Sequence, residues 1–277
     1  MRPLIALVLL IAVVLVASEP VSAQVPEGAV ARVGDELILK SEFDAWWRVG
    51  ARGGGPVVDP PRFERCIAAE RRRASRGTPK PSRREARRRC ERRARVLQAE
   101  VMQFLVQSVW IRQEAAALGI EVSLARVLRS FERQKGVVFV NEREYREFLR
   151  ASGMSQAQLL FRTGLDLLQT RLTQRAAAAA PPVTDEDVKR YYAKHRRESR
   201  GVPRARALRK IRALLTANRQ QRAVERFTKE FRARYTAITE CAEGYDVGEC
   251  GAATGDPRAS PNGLPSESLQ TAQASPG

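Results

Sequence analysis

Leu97-Gln98-Ala99-Glu100-Val101-Met102-Gln103-Phe104-Leu105-Val106-Gln107-Ser108-Val109-Trp110-Ile111-Arg112-Gln113-Glu114-Ala115-Ala116-Ala117-Leu118-Gly119 is the stretch on which the fold turns. Leu97, Val101, Phe104, Ser108, Ile111, Ala115 and Leu118 recur at steps of four and three, the spacing of one face of an α-helix. Met102, Leu105, Val106 and Val109 add a second apolar stripe. A helix that is apolar round most of its circumference is a central one, buried against several neighbours. Gly119 supplies its stop. The expected fold class is mainly α.

Upstream, residues 62–97 are dense in arginine and are broken by Gly77-Thr78-Pro79-Lys80-Pro81. Two helical arms joined by a turn are expected, the second running on into the central helix. Arg71, Arg72, Arg73, Arg83, Arg84, Arg87 and Arg88 are candidate anion-binding residues, with a solvated helix face as the alternative. The four cysteines are Cys66, Cys90, Cys241 and Cys250. Three connectivities are open, and the local pairs Cys66–Cys90 and Cys241–Cys250 are preferred. The spacings do not suit zinc, so no metal or other cofactor is expected.

Nearer the N-terminus, Ala29-Val30-Ala31-Arg32-Val33 and Glu36-Leu37-Ile38-Leu39 flank Gly34-Asp35, which predicts a small β-hairpin. Ser41 with Asp44 predicts the start of a helix carrying Phe43, Trp46 and Trp47, ending before Gly53-Gly54-Gly55. That glycine run lacks the Lys-Ser/Thr of a phosphate loop and reads as linker. Downstream, helix starts are expected at Ser123, Asn141 with Glu144, Ser155 with Gln158, and Thr184 with Asp187. A last long helix follows Gly201-Val202-Pro203, with Leu208, Ile211, Leu215, Phe227, Phe231, Tyr235 and Ile238 as its apolar side.

The first residues, Met1-Arg2-Pro3, an apolar run from Leu4 to Ala17, and Val21-Ser22-Ala23, have the three parts of a secretory signal peptide. Cleavage after Ala23 is expected, because the run is short for a membrane anchor. The formal net charge is +18, and losing Arg2 and Glu19 with the leader leaves it unchanged. Export argues against a nucleic-acid partner and turns that charge toward membrane lipids, cell-wall polymers or acidic proteins. From Gly251 the chain is Gly, Ala, Ser and Pro with few apolar residues, a composition that predicts disorder. The expected division is a leader over 1–23, a helical domain over 24–200 that includes the arginine-rich hairpin, a helix and disulfide loop over 201–250, and a tail over 251–277.

Several segments together resemble the exported foldases of the SurA and PrsA type. Ala29 to Ile38 with Lys40-Ser41-Glu42-Phe43 is similar to that family's opening hairpin and first helix. Glu114 to Ser123 resembles its helix–Gly–Ile-x-Val-Ser junction, and Phe148 to Ser155 the junction after it. Val183-Thr184-Asp185-Glu186-Asp187-Val188-Lys189-Arg190-Tyr191-Tyr192 looks like its Tyr-Tyr helix. In such foldases a parvulin-type prolyl isomerase domain usually follows that helix, and here there is no room for one. A parvulin site also uses a pair of histidines, and this chain has only His195. The resemblance thus implies the chaperone half alone, a SurA N-terminal-like helical domain completed by the last helix.

The function expected is ATP-independent binding of unfolded or nascent exported polypeptides, outside the cytoplasm and without catalysis. Trp46, Trp47, Trp110, Tyr145 and Phe148 are the candidate client-facing side chains, with burial in the core as the alternative for each. Two other readings stand beside it: an arginine-rich binder of anionic membrane or cell-wall polymers, and an isomerase by family with residual or lost activity. Salt separates the first two, since Coulombic binding collapses with added salt and apolar binding persists.

Overall fold

The structure is a computed structural model that describes residues 25–53, 57–73 and 79–251. The expected leader over 1–23, the glycine linker's Gly54 and Gly55, and all of the expected tail but Gly251 lie outside the described residues. Helices dominate, and a small antiparallel sheet sits at one end. Strands β1 (Ala29–Val33) and β2 (Glu36–Leu39) form the predicted hairpin, with Val33 opposite Glu36 and Ala31 opposite Ile38. A third strand, β3 (Thr239–Cys241), pairs on the other side of β1, Val33 opposite Thr239 and Ala31 opposite Cys241. An ion pair of 2.6 Å between Arg32 and Glu240 crosses this pairing.

Helix α1 (Lys40–Gly50) is capped at Leu39 and begins two residues earlier than an N-cap at Ser41 implied. The Glu42 carboxylate accepts from the Leu39 N–H at 2.9 Å, which satisfies a free donor of the first turn, while Asp44 pairs with Lys40 instead. The arginine hairpin is α2 (Glu64–Arg72) and the start of α3 (Arg83–Ala117). The Asp59 carboxylate caps α2 by accepting from the N–H groups of Arg65 and Cys66 at 2.9 and 3.1 Å. Ser82 and Glu85 cap α3 reciprocally. At 35 residues, α3 is about 52 Å long and spans the molecule.

After α3 come α4 (Leu124–Val138), α5 (Glu142–Ser152), α6 (Gln156–Ala178), α7 (Asp185–Lys194), a 3-10 turn (Arg196–Ser199) and α8 (Arg204–Thr236). The Asn141, Ser155 and Thr184 side chains accept from the backbone three residues on, as their spacing predicts. Helix α4 packs through Val127 and Phe131, while Leu128 is exposed.

The central stripe of α3 carries the main core. Leu97, Val101, Met102, Leu105, Val106, Val109 and Trp110 pack with Val30, Val33 and Ile38 of the sheet, Phe43 of α1, Ile67 of α2 and Tyr235 of α8. Burying such side chains contributes roughly 1.5–3 kcal/mol each. The C-terminal end of α8 thereby belongs to the same core as the N-terminal hairpin, while its first half packs on α6 and α7. Both local cysteine pairs are bonded, Cys66–Cys90 between the hairpin arms and Cys241–Cys250 closing the loop after β3. No helix of the described residues is long and apolar enough to cross a membrane.

Candidate functional site

A groove opens between β2, α1, α3 and the start of α6. Its first hollow, of about 650 Å³, has Leu37, Ala45, Trp46, Val109 and Phe161 on its apolar side and Arg48, Arg52, Arg112 and Gln158 among its polar groups. A second hollow of about 410 Å³ continues it through Val122, Val127, Leu165 and Leu168. Phe161 and Arg112 line both, so the two hollows meet at that ring.

Two rings, Trp46 and Phe161, line the groove, and Phe104 packs against both. Trp46 meets Phe104 edge-on with centroids 4.6 Å apart, and Phe161 lies 6.1 Å from Trp46 and 6.3 Å from Phe104. Such pairs add about 0.5–1.5 kcal/mol beyond their area burial, so the cluster is preformed. Phe161 keeps 37% of its surface in solvent and Leu37 keeps 39%, which leaves an apolar opening in a polar rim. Gly153 at the edge takes a left-handed φ of 69°, which glycine adopts without strain.

Beside the groove, the Arg162 guanidinium lies 5.5 Å over the Phe104 ring, and Asp166 is one turn further along α6. Burial pushes Arg162 below its usual range and raises the carboxyls of Asp166 and Glu100, the last one turn before Phe104 on α3. Asp166 and Glu100 nevertheless touch solvent.

Of the five candidate client-facing aromatics, the structure brings only Trp46 to the groove. Trp110 is a correction: it is 1% exposed, its Nε1–H donates to Thr239 Oγ1 at 2.9 Å, and it packs on Phe231 and Tyr235. Tyr145 is a second correction, 2% exposed against Phe131 and Phe139. Trp47 is half-buried against Phe43, and Phe148 is half-buried against Phe139, both away from the groove lining. Sequence reasoning did not single out Phe161 or Leu37. Leu37 follows the Gly-Asp turn on the outward side of its strand, a signal that was available. His195 is half-buried, stacked on Tyr191 at 4.0 Å.

All seven candidate anion-binding arginines are exposed. Arg87 is occupied, pairing with Glu91 at 2.9 Å and lying 6.0 Å over Phe63. Among the described residues Arg71, Arg72, Arg73, Arg83, Arg84 and Arg88 form no ion pair within 4.0 Å. Two buried carboxylates went unnoticed in the sequence. Glu114 accepts from Arg234 at 2.7 Å, and Glu249 accepts from Gln103 and Gln107 at 2.7 and 2.9 Å. They fasten the end of α8 and the disulfide loop to α3. Among the described residues no three His, Cys, Asp or Glu converge as metal ligands. Compared with family models, with curated proteins and with solved structures, the chain matched none.

Proposed function

We propose that this protein is an ATP-independent chaperone of the cell envelope or exterior that holds unfolded exported polypeptides, a SurA-like helical domain without an isomerase domain. The observation that carries the reading is the Trp46–Phe161 lining, packed against Phe104 and open to solvent at Phe161, where two hollows join. An apolar strip in a charged rim can take up a side chain or two of an unfolded chain. The rim and the net charge of +18 keep the protein itself soluble. The groove is long and mixed in its lining rather than a closed cavity shaped to one ligand, which suits clients of diverse sequence.

The direct passage from α7 through a short turn to α8 supports a binding role that includes no prolyl isomerisation. Export rests on the leader-like residues 1–23. The test is suppression of aggregation of a chemically unfolded exported protein by residues 24–277. Replacing Phe161 by serine is expected to abolish most of the effect while circular dichroism stays unchanged. Full suppression by that variant would remove the groove from the account.

A further inference from the structure

The arginine hairpin sorts its charges by face. Residues 62–97 hold fifteen Arg and Lys against four Glu, eleven of the chain's eighteen net positive charges. The side of α3 facing α2 is partly compensated: Arg89 and Arg93 share Glu70, at 3.7 and 3.5 Å. At 100° per residue, the buried Ala86, Cys90 and Leu97 fall on one side of α3 and the exposed Arg84, Arg88 and Arg95 on the opposite side, with Arg92 beside them. Among the described residues, Arg84, Arg92 and Arg95 make no side-chain hydrogen bond or ion pair, and Arg88 feels only the Coulombic pull of Glu85.

This arrangement strains the local electrostatics. Arg83 and Arg84 stand in the first turn of α3, where the helix dipole disfavours cations, and Arg84 and Arg88 repel at i,i+4. Glu85 pulls on Arg88, and Glu91, paired with Arg87, lies beside the stripe, so the repulsion is offset only in part. The arms are tied together by the Cys66–Cys90 bond with its Cα atoms 6.0 Å apart and by Glu70 between them. A tied guanidinium stripe with charge left over can take up an anion from outside.

We propose that the stripe Arg84–Arg88–Arg92–Arg95 is a docking surface for a linear phosphodiester polymer lying along α3. Neighbouring arginines rise by about 4.5–6 Å and the stripe runs for about 16 Å, which lets successive phosphates of an extended polymer meet successive guanidinium forks. The fork binds phosphate bidentately. A lipid bilayer fits less well. An interfacial helix needs an apolar flank to insert, but the apolar side of this segment is in the core, and Val96 is the one large apolar side chain of α3 that is exposed. An acidic peptide matches the forks but carries its carboxylates on mobile side chains without a fixed repeat. The surface shares no lining residue with the groove, so this inference stands independently of the chaperone reading.

The experiment titrates oxidised protein into fluorescently labelled poly(glycerol phosphate) and reads anisotropy over a range of salt. Affinity is expected to fall linearly with the logarithm of salt. The variant R84Q/R88Q/R95Q is expected to bind about tenfold weaker or worse, with its salt slope reduced by about 2. The variant R126Q/R129Q/R133Q removes the same charge from exposed arginines of α4 and is expected to lose less than threefold. Equal losses in the two variants would overturn the stripe and leave net charge alone. Binding to phosphatidylglycerol vesicles or polyglutamate as tight as to the polymer, per charge, would overturn the choice of partner.

Discussion

Tyr235 ends α8 with its ring stacked on Trp110, centroids 5.9 Å apart, and its hydroxyl beside the buried Glu114. Burial, then the Glu114 charge, pushes that hydroxyl up to about 12 from 10.0. The unfolded chain gives up this proton near its ordinary value while the folded chain keeps it, so stability falls as pH rises from 10.0 to about 12. Tyr235→Phe is expected to make the loss of stability over that alkaline window shallower, read by denaturant unfolding at a series of pH values. An unchanged slope would mean the hydroxyl is not held as described. The same neighbourhood shows what single residues conceal in a sequence. Trp110 sits on the predicted apolar stripe, but whether a stripe residue is covered depends on what returns to it. Here the cover is Phe231, Tyr235 and Thr239, more than a hundred residues later. Glu114 and Glu249 look like surface charges for the same reason, because their donors come from other elements.

At the scale of elements, local chemistry was the better guide. Asn141, Ser155 and Thr184 each mark a helix start because the cap and its partner are three residues apart and need nothing else. The cap of α2 is different: Asp59 reaches over a cis Pro60–Pro61 segment to the N–H groups of Arg65 and Cys66, a geometry no short pattern encodes. Asp59→Ala is expected to cost roughly 1 kcal/mol in chemical unfolding by leaving those donors uncapped. A loss indistinguishable from zero would show that water serves them equally well. The hairpin arms depend on their crosslink as well. Replacing Cys66 and Cys90 by serine is expected to lower stability by about 3 kcal/mol. It should also raise amide exchange over 64–72 while α3 beyond Leu97 stays protected. Uniform exchange across α2 and α3 alike would mean that the arms and the core unfold as one unit. Strand β3 was not legible at all, since three residues ending in a cysteine form a strand only once β1 is there to receive them.

Across the whole molecule, α8 is the element that unites the parts. Its first half lies on α6 and α7, where Arg219 pairs with Asp187 at 2.6 Å, and its last turn enters the core built by α3 and the N-terminal hairpin. The mainly helical class, the hairpin and the long central helix could be read from periodicity and turn residues, while the closing role of the last helix was what the resemblance implied. The groove could not. Its Trp46 was singled out, but Phe104 lies on a stripe that reads as core, Phe161 was not singled out, and the gap that exposes Phe161 is made by β2, α1, α3 and α6 together, elements far apart in the chain. The account therefore stands on that gap. Its most direct test is light scattering of an unfolded exported protein with residues 24–277 at low and high salt. Wild-type protein is compared with the rim variants Phe161→Ser and Leu37→Ser and with Leu214→Ser, an exposed leucine of α8 outside the groove. Near-stoichiometric suppression that survives high salt, falls in both rim variants and persists in Leu214→Ser is the predicted result. No suppression at any ratio, or suppression confined to low salt and indifferent to Phe161, would contradict it.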